Sequence, residues 1–321
     1  MERNLALEFV RVTEAGAIAA AAWMGRGDGK KADQAAVDEM RDRFNQVDFS
    51  GTVVIGEGDK DEAPKLFIGE KVGTGKGPKM DIAIDPLEAT DSVAYGRTNA
   101  LSVIVTGPKG SLLHAPDTYM DKLAVGVEAA GVIDLDASVA VNIEKTAKAL
   151  GKRVKDIVVV VLDRERHEKL VKEIREAGAR VRLITDGDVA AAIATAQPDS
   201  GIDMLMGIGA SAEGVLAAAA LKVMGGQILA RFKPRSKEDE QAIKKCGIKD
   251  IDKILTAEDL ASGRELTFTA TGVIDGPLLD GVLFKQDRIV THSIVIRAKS
   301  GTVRYITAHH NRTPEHKYYQ E

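Results

Sequence analysis

An apolar-rich run, Met80-Asp81-Ile82-Ala83-Ile84, delivers the chain into Asp85-Pro86-Leu87-Glu88-Ala89-Thr90. A run of this kind reads as a buried strand, and its exit carries two carboxylates three residues apart with a hydroxyl two residues further on. Burying like charges together is expensive, because they repel and lose hydration. A fold that contains this strand must bring something to offset the charge, and divalent cations do so. Other acidic, Gly-rich turns recur along the chain, and together they point to metal-dependent phosphate hydrolysis.

The organisation fits that requirement. Residues 5–24 read as an amphipathic helix, with Leu5, Phe9, Val12, Ala15, Ile18, Ala19 and Ala22 at three- and four-residue steps, ended by Gly25-Arg26-Gly27-Asp28-Gly29. A second helix is expected over 32–45, with Asp33 in its first turn. Residues 52–55 read as a short buried strand running into Gly56-Glu57-Gly58, and 69–77 as a Gly-rich loop. Residues 100–106 form a further strand, and the turn Gly107-Pro108-Lys109-Gly110 predicts a hairpin. The first part of the chain therefore mixes two long helices with a largely antiparallel sheet.

Near Gly151 the pattern changes. Strands at 156–162, 181–185 and 202–206 alternate with helices at 164–177, 189–196 and 212–224, which reads as parallel βαβ units. Ligands of such sheets lie beyond the carboxyl ends of strands, where Asp186, Asp188 and Glu213 fall. Residues 233–245 read as a charge-rich linker or exposed helix, 267–272, 282–284 and 289–298 as closing strands, and the tail from His309 as polar and frayed. Two parts are expected: 1–150, an α+β metal-binding part, and 151–321, an α/β substrate-binding part.

Composition removes other classes. The chain has 321 residues, 44% hydrophobic and 29% charged, which suits a globular protein of about two domains. A net charge of −4 and 4% aromatic residues argue against a nucleic-acid surface. Glu2, Glu8, Arg11 and Glu14 break any signal-peptide core, and the Ala-rich segment 15–24 is too short and weakly apolar to span a bilayer. The single cysteine, Cys246, cannot form an intrachain disulfide and reads as incidental, consistent with a reducing cytoplasm.

Five carboxylates sit beside turns or helix starts: Asp33, Glu57, Asp85, Glu88 and Glu213. Hard cations such as Mg²⁺ and Mn²⁺ take oxygen ligands and leave positions open for phosphate and water. Thr90 has two compatible roles, capping a helix and orienting a metal-bound water. Asp61 and Glu62 follow Glu57 closely, and Asp61 is the better candidate to take the proton as that water attacks. Arg164 and Arg166, read as the start of a helix after a buried strand, offer either a phosphate seat or a solvated face. Asp186 and Asp188 can accept hydrogen bonds from sugar hydroxyls, and Tyr119 can reach a phosphate through its hydroxyl. The six histidines show no metal-ligand spacing.

Asp-Pro-Leu-Glu-Ala-Thr resembles the Asp-Pro-Ile/Leu-Glu/Asp-Gly-Thr signature of the lithium-sensitive sugar and inositol phosphatases. Longer stretches are similar to one branch, the bacterial class II fructose-1,6-bisphosphatases: residues 7–14, 23–28, 51–64, 69–75, 115–120, 186–190, 212–215 and 269–272. The resemblance spans most of the chain. It implies a layered αβαβα sandwich with the active site between two subdomains, and removal of the 1-phosphate of fructose 1,6-bisphosphate with two or more Mn²⁺ or Mg²⁺ ions, a step of gluconeogenesis. It implies metal roles for Asp33, Glu57, Asp85, Glu88 and Glu213, and substrate contacts at Glu88, Ala89, Thr90, Tyr119, Arg164, Glu165, Arg166, Asp186, Gly187, Asp188 and Ala210. Thr90, with Asp61 or Glu57, would deprotonate the water. Family habit implies a homo-oligomer. Sedoheptulose 1,7-bisphosphate is the alternative substrate, alone or alongside the fructose compound; a non-catalytic phosphosugar-binding protein is a further reading. Three positions depart from the family pattern: Ala89 and Ala210 replace the usual glycines, and Gly29 stands where lysine is frequent, with Lys30 or Lys31 as substitutes. If position 89 needs a positive φ, alanine there is strained by roughly 1 kcal/mol or more.

Overall fold

The computed structural model describes residues 5–57 and 66–311. Its strands are, in chain order, β1 Ser50–Ile55, β2 Lys71–Val72, β3 Lys79–Glu88, β4 Ala100–Pro108, β5 Tyr119–Val125, β6 Val158–Leu162, β7 Arg180–Ile184, β8 Met204–Ala210, β9 Gln227–Phe232, β10 Leu255–Thr256, β11 Thr267–Ile274, β12 Leu283–Phe284, β13 Arg288–Arg297 and β14 Thr302–Asn311. Its α-helices are α1 Leu5–Ala21, α2 Gly29–Phe44, α3 Thr90–Tyr95, α4 Val139–Ala149, α5 Glu168–Glu176, α6 Asp188–Ala194, α7 Ser211–Met224, α8 Lys237–Lys245 and α9 Ala257–Leu260. They build two sheets. The first runs β12-β13-β11-β4-β3-β1-β2, with β14 on the outer side of β13; the second runs β10-β9-β5-β8-β6-β7.

Period-two alternation in the strands explains the layering, because successive side chains face opposite sides of a sheet. In β3, Met80, Ile82 and Ile84 pack into a core with Phe9, Phe44 and Phe49, while Ala83 faces the other way. In β6, Val160 faces the middle of the molecule and Val159 and Val161 face outward against Ile143 of α4 and Ile174 of α5. The apolar residues of α6 and α7 fill the space between the sheets. The order is therefore α1/α2, first sheet, α6/α7, second sheet, α4/α5. This is the αβαβα sandwich expected from the sequence.

The first sheet is antiparallel except where β1 lies parallel to β3; in the second, β6 is parallel to β7 and β8, and β5 and β9 are antiparallel additions. The chain leaves the first sheet after β4 and returns to it at β11. A division at residue 150 thus does not coincide with the division between the sheets.

Several expectations are corrected. The turn at 107–110 makes no hairpin: β4 pairs β3 and β11, and the next strand, β5, belongs to the other sheet. The helix expected from 164 begins at Glu168, after a 3-10 turn at Glu165–His167. Asp33 falls one turn later in α2 than expected, because the helix starts at Gly29 with Asp28 as N-cap. Residues 302–311 are a strand rather than a frayed tail; their exposed, mixed pattern hides β14, which pairs with all ten residues of β13.

Candidate active site

Two strand ends create the acidic centre. β1 and β3 run parallel in adjacent positions, with Ile55 opposite Ala83, so their carboxyl ends lie side by side. Glu57 follows the first and Asp85 and Glu88 complete the second. The pairing of β3 with β4 slips between Asp85 and Glu88, which sit opposite Val103 and Leu101. Pro86 occupies the slip, where the missing N–H costs no ladder bond. The backbone N–H of Leu87 donates to Asp85 Oδ1 at 3.1 Å, which fixes that carboxylate.

α2 adds Asp33, and α7 adds Glu213 in its first turn, directly after β8. A cleft of about 470 Å³ is lined by Lys30, Asp33, Glu57, Asp85, Glu88, Ala89, Thr90, Asp186, Gly187 and Glu213. Acids from five separate stretches of chain therefore meet. Burial, then repulsion from Glu57, Glu88, Glu213 and Asp33, pushes the Asp85 carboxyl well above the usual carboxylate range. Burial, then Asp188, does the same to Glu88. Burial raises Glu213 to about 7, opposed by the Lys122 ammonium. Glu88 Oε1 accepts the Val189 N–H of α6 at 2.6 Å. Oε2 of Glu88 and Oε2 of Glu213 are sealed from solvent and have no hydrogen-bond partner among the described residues.

Orphaned, mutually repelling oxygens fit hard divalent cations, which supply the missing partners and offset the charge. Among the described residues no three His, Cys, Asp or Glu side chains close into a finished coordination set. The acids share a cleft rather than a single point, as suits cations that keep water and substrate oxygens as ligands.

A second group of residues sits where the second sheet meets this cleft. Asp186 and Gly187 follow β7, and Asp188 opens α6. Arg164 Nη2 lies 3.7 Å from Asp186 Oδ1. Tyr119 pairs across β5 and β8 with Ala210, and the guanidinium groups of Arg166 and Arg235 lie 4.7 and 5.0 Å from its ring centroid. Arg166 also donates twice to Ile208 O. Glu165 is exposed on the same 3-10 turn. That turn is held by His167, whose Nδ1 donates to Leu162 O while Nε2 accepts the Ile208 N–H, both at 2.7 Å. Burial lowers the His167 pKa, so the ring serves as a neutral bridge and not as a metal ligand.

Sequence reasoning passed over Lys122. It is 2% exposed, and its Nζ pairs with Asp188 Oδ2 at 2.6 Å and donates to Ala210 O at 3.1 Å. A lysine inside the apolar strand Tyr119–Val125 was the available signal. Gly209 makes room for the pair: a Cβ there would lie 2.2 Å from Asp188 Oδ2. Arg235 was also missed; it clamps Asp239 and the Asp117 carbonyl beneath Tyr119.

A family model described as bacterial fructose-1,6-bisphosphatase, glpX-encoded, matches residues 3–310. A class 2 fructose-1,6-bisphosphatase of Escherichia coli (strain K12) is 46% identical over 322 residues, covering 97% of this chain and 96% of that protein. A protein of Synechococcus sp. (strain JA-3-3Ab), named D-fructose 1,6-bisphosphatase class 2/sedoheptulose 1,7-bisphosphatase, is 45% identical over 334 residues, with the same coverage. The chain belongs to the bacterial class II fructose-1,6-bisphosphatase family. It is a phosphoric monoester hydrolase that converts fructose 1,6-bisphosphate to fructose 6-phosphate and phosphate; the family is metal-dependent and acts on sugar bisphosphates. Among the described residues no helix is long and apolar enough to cross a membrane.

The departures from the usual bisphosphatase pattern now separate. Ala89 has φ 75° and ψ 51°, a left-handed conformation that disfavours any side chain. Ala210 has φ −67° and ψ 154°, an extended conformation open to every residue, so its methyl brings no backbone strain. Of the two lysines beside Gly29, Lys30 lines the cleft, whereas Lys31 turns away to Asp28 at 3.0 Å and towards the Trp23 ring. Thr90 is not a helix N-cap: Ala89 occupies that position, and Thr90 is the first residue of α3. Asp61 and Glu62 lie outside the described residues. Cys246 is exposed at the end of α8, and burial raises its thiol pKa, the opposite of nucleophilic activation.

Proposed function

We propose that Asp33, Glu57, Asp85, Glu88 and Glu213 hold two or more Mg²⁺ or Mn²⁺ ions against the 1-phosphate of the sugar. The observation that carries this reading is the meeting of all five acids in one cleft, two of them with sealed, partnerless oxygens. When bound, such cations neutralise phosphate charge and acidify a water. The protein's own groups do the rest. The Thr90 hydroxyl, on the cleft wall, orients the attacking water, and Glu57 or Asp61 takes its proton. Glu88, Ala89 and Thr90 border the reacting phosphate. Asp186, Gly187 and Asp188 receive the sugar hydroxyls, with Lys122 holding Asp188 charged and fixed. Tyr119, Arg164 and Arg166, with Glu165 and Ala210 beside them, seat the distal phosphate; Arg166 brings a planar donor fork with no acidic partner in direct contact.

The arrangement into parts 1–150 and 151–321 expresses the same division of labour, acids on one side and sugar contacts on the other. A homo-oligomer in the cytoplasm completes the reading. Phosphate release from fructose 1,6-bisphosphate and sedoheptulose 1,7-bisphosphate, measured with Mn²⁺, with Mg²⁺ and after chelation, tests it. Activity that persists unchanged after chelation rejects the metal roles, and near-normal turnover by Asp85→Ala rejects the role of Asp85. The relative named for both substrates makes the comparison of the two kcat/KM values worth including.

A further inference from the structure

The acids Asp85 and Glu88 end a strand of the first sheet, whereas the loop Asp186–Asp188 follows a strand of the second. A substrate that touches both needs the two held in register. Asn99, just before β4, provides the link. It is 4% exposed and has φ 74°, a left-handed conformation in which asparagine is among the few tolerated residues. Its backbone N–H donates to Asp275 O at 2.8 Å, anchoring it to the first sheet. Its side-chain nitrogen donates to two consecutive carbonyls of the loop, Asp186 O at 2.9 Å and Gly187 O at 2.7 Å.

The grip is tight from both sides. Gly187 has φ 78°, and a Cβ there would lie 2.6 Å from Asn99 Nδ2 and 3.2 Å from the Ala89 Cβ. The amide oxygen of Asn99 is buried and has no hydrogen-bond partner among the described residues, which costs free energy at any buried site. A left-handed backbone and an orphaned oxygen are both tolerated to keep two N–H groups aimed at one loop.

We propose that Asn99 is a positioning residue for the sugar bisphosphate: its carboxamide locks the loop Asp186–Asp188 onto the metal-binding side, and so governs substrate affinity rather than cation binding. This rests on the reading of that loop as the sugar contact. Asn99→Gly keeps the left-handed backbone and removes both donors; Asn99→Asp keeps the shape but sets oxygens against two carbonyls. Both variants are expected to raise the KM for fructose 1,6-bisphosphate at least tenfold. The kcat should stay within threefold, and the Mn²⁺ concentration for half-maximal activity should not change. An unchanged KM in Asn99→Gly overturns the proposal, as does a parallel loss of kcat and Mn²⁺ activation, which marks a purely structural role. If Asn99→Asp fails to fold, Asn99→Gly alone decides. Asp186→Asn separates the two layers of the argument: a normal KM there rejects the loop as sugar contact. A raised KM there with a normal one in Asn99→Gly rejects the clamp alone.

Discussion

Replacing Glu213 by glutamine should make the metal-free enzyme more stable and abolish its function. Glu213 ionises near 4.5 in an unfolded chain but near 7 in the fold, chiefly because burial disfavours the charge. A carboxyl raised in this way binds its proton more tightly when folded. Its contribution is fully present below about pH 4.5 and is lost as pH rises through 7. At about 1.4 kcal/mol per pH unit of separation, ionising Glu213 inside the fold at pH 8 costs up to roughly 3 kcal/mol. Glutamine never ionises and carries no such cost. Urea unfolding in chelator, followed by circular dichroism, should therefore show Glu213→Gln more stable than wild type by up to about 3 kcal/mol at pH 8. At pH 5 the gain should be less than about 1 kcal/mol. Saturating Mn²⁺ should then reverse the order, because a cation at a hundred times its Kd adds about 2.7 kcal/mol to the wild type and far less to the variant. Turnover should fall at least about a hundredfold, the scale of losing a group that organises charge at the reacting centre. Equal stability differences at pH 5 and pH 8 would refute the reasoning.

At Ala89, glycine relieves the left-handed strain but loses a buried methyl and gains unfolded-state freedom, so Ala89→Gly should change stability by no more than about 1 kcal/mol. Ala89→Val, branched and pressed against Gly187, should cost at least about 2 kcal/mol and lower activity; equal unfolding midpoints for the two variants would contradict this. Far from the cleft, Glu14 is buried on α1, accepts from Thr291 Oγ1 at 3.1 Å, and is raised to about 7 by burial. The same sign applies, with stability lost as pH rises from about 4.5 to 7. Glu14→Gln should thus gain up to roughly 3 kcal/mol over wild type at pH 8 and little at pH 5, without changing kcat; a gain independent of pH would rule out burial as the cause.

Much of this architecture is legible along the chain because it rests on short-range rules. The apolar run before Asp85 has to be a buried strand, and the two acids at its exit have to find compensation whatever surrounds them. The alternation of strands and helices from 156 to 224 dictates parallel units, with Asp186, Asp188 and Glu213 at the carboxyl ends. Period-two patterns in β3, β4 and β6 place side chains on both faces, which demands layers above and below. Even the doubt over Ala89 was local, since a turn out of a strand into a helix calls for a positive φ.

What the chain alone left open depends on which distant segments become neighbours. That β1 and β3 lie parallel, side by side, is decided by burial of both sheet faces, and it alone brings Glu57 to Asp85. β14 is exposed on one edge and carries no clear apolar face, so only its ladder with β13 reveals it. Lys122 looks out of place in an apolar strand until Asp188, 66 residues later, supplies its counter-charge in the space opened by Gly209. Asn99 resembles an ordinary loop residue until the second sheet packs and offers it two carbonyls. Local sequence determined the elements and the chemistry at their ends. Long-range packing decided which charges face one another, because the energy of a buried charge is set by neighbours that the linear order does not contain.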